Sequence, residues 1–224
     1  MWTFSDQLFN VIETYNLDVW PAQIVFYVLA ILSLFILLRT KKSLGEPSNK
    51  IICLILAFYW LWVGIVFDAI YSSSINPLSL ATGVICIIEA ILIIYYGVYK
   101  NSLRFIFNTD TYSMIGVFFI VFALVVYPVV GIFSGLNFPR APILSAPCPT
   151  TIFTFGLFMM LNKQFPKIIL AIPLFFAILG ITNLLYGIYA DIMLTISGIA
   201  TALLLIWRDT DRNRRERLTG DVNS

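Results

Sequence analysis

The chain is built from long apolar runs separated by short polar joints. Seven runs stand out, at about 21–38, 51–72, 78–99, 113–134, 150–162, 167–187 and 190–207. Most carry one ionisable residue or none. Trp20, Tyr71, Tyr99, Tyr112, Tyr189 and Trp207 sit at their ends, where an aromatic belt meets a membrane surface. A helix rises about 1.5 Å per residue and the hydrocarbon core is about 30 Å thick, so runs of about 20 residues read as crossings. The predicted fold is an all-α membrane protein, a seven-transmembrane-helix bundle. The fifth run breaks the pattern: the twelve residues from Thr150 to Leu161 make a helix of only about 18 Å. Either the residues before Pro149 complete the crossing in non-helical form, or the helix begins inside the membrane. Both readings put Cys148 and its neighbouring threonines at a helix N-terminus near or below the outer surface.

A different pattern precedes the first run. Phe4, Leu8, Val11, Ile12 and Tyr15 share one face of a helix, and Asp6, Gln7, Asn10, Glu13 and Thr14 the other, with Thr3 or Ser5 as cap. This predicts a short amphipathic N-terminal helix, either interfacial or packed across the mouth of the bundle. The expected organisation is an extracytoplasmic helix (1–20), a seven-helix transmembrane domain (21–207) and a charged cytoplasmic tail (208–224).

Composition narrows the class without changing it. Of 224 residues, 12% are charged, against about 25% in a soluble domain, and 60% are hydrophobic. The basic residues then give sidedness. Arg39, Lys41, Lys42 and Lys50 fill the first joint, Lys100 and Arg104 the third, and Lys163 and Lys167 the fifth. Arg208, Arg212, Arg214, Arg215 and Arg217 follow the last run, which leaves Arg140 alone on the other side. The positive-inside rule places the N-terminus outside and the C-terminus in the cytoplasm. The tail mixes basic with acidic residues and reads as a solvated helix extension, so no nucleic-acid partner is expected. Met1 to Trp20 has neither a basic start nor a continuous apolar core and does not read as a signal peptide. Histidine is absent, and Cys53, Cys86 and Cys148 form no CxxC pair. No metal, cofactor or catalytic group is expected.

A faint repeat relates the last three runs to the first three. Pro21-Ala22-Gln23-Ile24 matches Pro149-Thr150-Thr151-Ile152, and Lys50 matches Lys167. Tyr71, Asn76 and Gly83 match Tyr186, Asp191 and Gly198. It predicts two parallel three-helix repeats joined by a linker helix, a plan that places a substrate site between the repeats.

Polar residues inside the runs mark the candidate site. A carboxylate within a span is expensive unless it is paired, protonated or hydrated, which singles out Glu89, Asp68 and Asp191. Asn183 lies on a polar stripe with Gly180 and Gly187. Such stripes also serve plain helix packing, so Gly64, Gly83, Gly180 and Gly198 read first as close-contact positions. The segment Pro147-Cys148-Pro149-Thr150-Thr151, with Thr154 a turn on, breaks a helix and gathers a thiol and hydroxyls. Metal ligation and redox chemistry at Cys148 are weaker readings than a polar or anion-accepting mouth formed by free amides and hydroxyls. Arg140 is expected to complete that mouth or to pair with Asp68.

The Pro-Cys-Pro-Thr-Thr-Ile-Phe-Thr-Phe-Gly segment, with Trp20-Pro21-Ala22-Gln23 before the first run, resembles an uncharacterised family of small bacterial multi-spanning inner-membrane proteins. The resemblance implies a bacterial inner (plasma) membrane location and carries no activity. The topology is similar to that of retinal-binding rhodopsins, but no lysine lies between Asp191 and Trp207 to hold retinal. It is also similar to that of three-plus-one-plus-three sugar transporters, whose motifs are not found. The function expected is a permease for a small solute, with a receptor or sensor as the alternative and an intramembrane enzyme third. The partners expected are the lipid bilayer and the solute, with oligomerisation left open.

Overall fold

The computed structural model describes residues 4–39, 45–161 and 165–220, with side chains described from 6 to 210. The caps at Thr3 and Ser5, Lys41, Lys42, Lys163, the side chains of Arg212, Arg214, Arg215 and Arg217, and the end of the tail lie outside them. Among the described residues the fold is all-helical, with no strand beyond two isolated bridges. The helices are α1 (Phe4–Asp18), α2 (Ala22–Arg39), α3 (Glu46–Ser74), α4 (Leu78–Tyr99), α5 (Thr111–Phe133), α6 (Pro147–Met159), α7 (Ile168–Leu184) and α8 (Ile192–Gly220). Six of them are long and apolar enough to cross a bilayer: α2, α3, α4, α5, α7 and α8. Their exposed faces carry Ile31, Ile70, Ile91, Met114, Ile178 and Leu203, which in water would be a liability and in lipid is the ordinary surface.

The fifth apolar run takes a different form. α6 begins at Pro147, two residues earlier than the sequence suggests, and ends at Met159 after 13 residues. Every residue from Pro149 to Met159 is buried, because α5, α7 and α8 pack around it. The segment before it supplies the non-helical part, with Ala141, Leu144, Ser145 and Ala146 all buried. α6 is thus an enclosed axial helix and is not counted among the six.

Small residues set the helix spacing. A Cβ on Gly64 would lie 2.6 Å from the carbonyl oxygen of Gly83, and one on Gly83 2.7 Å from that of Gly64, so α3 and α4 touch backbone to backbone. Gly116 and Gly156 do the same for α5 and α6. On α7 and α8, a Cβ on Gly180 would meet Leu194 at 2.6 Å and one on Gly198 would meet Ala177 at 2.5 Å. The glycine stripes of both hairpins are therefore contact surfaces.

Three crossings leave regular α geometry. α5 widens into a π-turn at Phe122–Val126, just before Pro128, which has no amide to give the carbonyl four residues back. α4 ends in a π-turn, Ile94–Tyr99. α3 is π-wound from Val63 to Tyr71, the stretch that carries Asp68. Such windings re-aim side chains and recur at functional sites.

α1 lies across one end of the bundle. Ile12 and Tyr15 pack on Phe67 and Ala146. The Tyr15 hydroxyl donates to Ser145 Oγ (2.7 Å) and accepts from Trp62 Nε1 (2.8 Å), while Asn16 Nδ2 donates to the carbonyls of Pro139 (2.6 Å) and Ala141 (2.8 Å). Of the two placements the sequence allows, these contacts describe the helix packed across the mouth.

Candidate functional site

Under α1 is a cavity of about 280 Å³ between the α3–α4 hairpin and α7, with the start of α6 as its third wall. Its polar lining includes Asp68 and Thr82 from the first hairpin, Cys148 from α6 and Asn183 from α7; Ile12, Phe67, Phe176 and Leu179 give it apolar walls. Phe176, one of its walls, meets the Trp60 ring edge to face at 5.5 Å, and Trp60 Nε1 donates to Thr154 Oγ1 at 3.1 Å.

Asp68 is 4% exposed and is supported by neutral groups only. Cys86 Sγ lies 3.8 Å from Oδ2, and the Thr82 hydroxyl is within hydrogen-bonding reach. Phe67 and Asp68, both on the π-wound stretch of α3, line the cavity wall.

Behind the wall stands a second acidic group. Asp191, fully buried at the start of α8, accepts at Oδ1 from the Tyr127 hydroxyl and at Oδ2 from Asn183 Nδ2 (2.7 Å). Asn183 Nδ2 also approaches Cys148 Sγ at 3.5 Å. Four helices are thus tied at one point, and Asp191 meets the cavity only through Asn183 and Cys148. Tyr127 is the participant the sequence reading missed. Its one signal was a hydroxyl-bearing ring well inside an apolar run, immediately before Pro128.

The structure separates the remaining sequence candidates from this site. Arg140 neither reaches Asp68 nor completes the mouth; its Nε is 2.7 Å from Glu13 Oε2 on α1 and its Nη2 is 3.4 Å from Asn10 Oδ1. That pairing wins because α1 covers this end of the bundle and brings a carboxylate nearer. Two of the threonines of α6 donate to their own helix. Thr151 Oγ1 donates to the Pro147 carbonyl (2.8 Å) and Thr154 Oγ1 to that of Thr150 (2.8 Å). Thr150 Oγ1 is buried with no partner among the described residues. An anion-accepting mouth is not built, because Pro147 and Pro149 have no amide and the Thr150 amide donates to Ala146 O at 3.3 Å. Of that segment Pro147 and Cys148 line the cavity.

Glu89 faces the bundle interior, fully buried on the α4 face that also carries Gly83 and Cys86. Neither of its oxygens has a hydrogen-bond partner among the described residues, and it does not line the cavity. Cys53 and Cys86 are buried free thiols and Cys148 is a half-buried one. Among the described residues no three Cys, Asp or Glu side chains converge as a metal site would require.

Neither a curated protein nor a solved structure matches the chain. A family model described as a family of unknown function, DUF6064, matches residues 5–217, which takes in α1, the cavity and all six long apolar helices. With that span matched, the chain belongs to the DUF6064 family of unknown function.

Proposed function

We propose that the protein is a multi-pass permease for a small solute in a bacterial inner (plasma) membrane. In this reading α6 and the buried segment before it make a seventh crossing. The N-terminal helix then lies outside and the tail of α8 in the cytoplasm, as the basic residues require. The two glycine-locked hairpins, α3–α4 and α7–α8, act as the related halves of the parallel repeat, and the solute sits between them. The protein does no covalent chemistry.

The observation that carries this reading is the position of the cavity. It lies between the two hairpins and under a separate helix, with a buried carboxylate on one wall and Phe67 and Phe176 among its apolar walls. In this reading a solute moving inward passes Phe176 and the Trp60 ring packed against it. A receptor would use the same cavity and offer no inward route.

Uptake into proteoliposomes across a panel of small solutes tests the proposal. A membrane-impermeant maleimide should reach Cys148 ahead of the buried Cys53 and Cys86 and cut uptake severalfold. Cys148→Ala should transport and resist the reagent. Solute binding without uptake by any panel member would favour the receptor.

A further inference from the structure

We propose that the cavity binds a small amine in its protonated form with Asp68 as counter-ion, and that ammonium and proton occupy this carboxylate in turn. The proposal deepens the permease reading and rests on it only for the movement of the ligand.

Charge is the first reason. Among the described lining residues Asp68 is the sole ionic group, and no Lys or Arg joins it. Arg140, the basic residue at this end, is engaged by Glu13. The groups touching Asp68 are a hydroxyl and a thiol, which satisfy lone pairs but leave a negative charge unbalanced. A carboxylate at this depth holds a proton or keeps company with a cation. An anion is disfavoured twice, by Asp68 itself and by Asp191 behind Asn183.

The shape of the lining is the second reason. An ammonium has three donors to place, and Ser72, Asn76, Ser79 and Thr82 put oxygens on the same wall as Asp68. The opposite wall, Phe176 and Leu179 with Ile12 above, suits an alkyl body. At about 280 Å³ the cavity is at the lower edge of the roughly 300–1,000 Å³ of small-molecule pockets, so the ligand is small.

Exchange follows from the surroundings. The titratable groups around Asp68 are Cys86 on α4, which touches it, with Glu89 a turn further on the same helix, and Tyr186 beyond α7 on the cavity lining. Across the cavity stand Cys148 and, behind it, Asp191. None is a fixed cation, so one site of one negative charge holds one proton or one monocation.

The test uses the purified full chain in detergent with three matched probes, butylammonium, butanol and butyrate, followed by calorimetry. Butylammonium should bind, with a Kd that rises about tenfold per pH unit on the acid side as a proton takes the carboxylate. Binding in weak buffer should release up to one proton. Asp68→Asn should weaken binding at least about tenfold and abolish its pH dependence. If that variant does not fold, proton release by the native protein still decides. Equal binding of butanol, affinity independent of pH, or full affinity in Asp68→Asn each overturns the proposal. Proteoliposomes separate the two ideas. Amine binding without flux keeps the site and removes the permease, whereas flux of a neutral solute unaffected by Asp68→Asn keeps the permease and removes the amine site.

Discussion

At the residue scale the informative side chains are those whose burial demands a partner. The Tyr127 hydroxyl and Asn183 amide share the two oxygens of Asp191, so removing either leaves a buried acceptor short. Tyr127→Phe should destabilise the protein by about 1–3 kcal/mol, read as a lower Tm in detergent; an unchanged Tm contradicts the contact. Packing gives a sharper contrast. Gly64→Val drives a side chain into the backbone of Gly83 and should cost about 1–3 kcal/mol. Gly45→Ala, where the nearest neighbour is Pro47 at 3.8 Å, should stay within about 0.5 kcal/mol. The sequence shows Asp68, Glu89 and Asp191 because a carboxylate stands out against an apolar background. It hides Tyr127, since a tyrosine suits lipid, interface or core equally and its partner is 64 residues away. It misleads at Thr151 and Thr154, because a helical hydroxyl is most easily satisfied by its own preceding turn.

At the element scale, apolar run length revealed the six long helices, since hydrocarbon thickness leaves little choice of length. The shortness of the fifth run was equally legible. What the run length could not show is that α6 is wrapped by neighbours on every side, because an apolar residue reads the same whether it faces lipid or protein. The π-winding of α3, on which Asp68 sits, was also illegible. α1 offers a test at this scale. Burial pushes the Tyr15 hydroxyl up to about 12, against the hydrogen bonds from Trp62 and to Ser145 that favour the charged form. A tyrosine whose folded value is raised releases its proton more readily once undocked. Docking of α1 is therefore unaffected by pH below about 10 and weakens as pH rises from about 10 to 12. Protease cleavage within α1 should speed up across that window, and Tyr15→Phe should flatten the profile. A cleavage rate that stays flat across that window, or a profile unchanged in Tyr15→Phe, would remove Tyr15 from the docking contact.

At the scale of the whole molecule, one question of parity governs the topology. Six crossings put both termini on the same side, and seven put them on opposite sides. The described helices supply six, and α6 alone is about 20 Å long, too short for the roughly 30 Å core. In the seven-crossing proposal the segment from Ala141 to Ala146, mostly buried and held to α1 through Tyr15 and Asn16, continues the crossing in series with it. Basic residues argue the same way. Arg39 and Lys50 at one joint, Lys100 and Arg104 at another, and Lys167 and Arg208 near the last share a side only if the chain crosses between α5 and α7. The same proposal has the α1 end, with Glu13 and Asp18, facing outward. Single cysteines replacing Ser5 and Ser224, in a protein otherwise without Cys53, Cys86 and Cys148, decide the matter. An impermeant maleimide applied to intact cells should label position 5, and position 224 only after permeabilisation. Equal labelling of both from one side would make α6 a re-entrant helix, leave six crossings, and remove the related halves on which the permease reading depends.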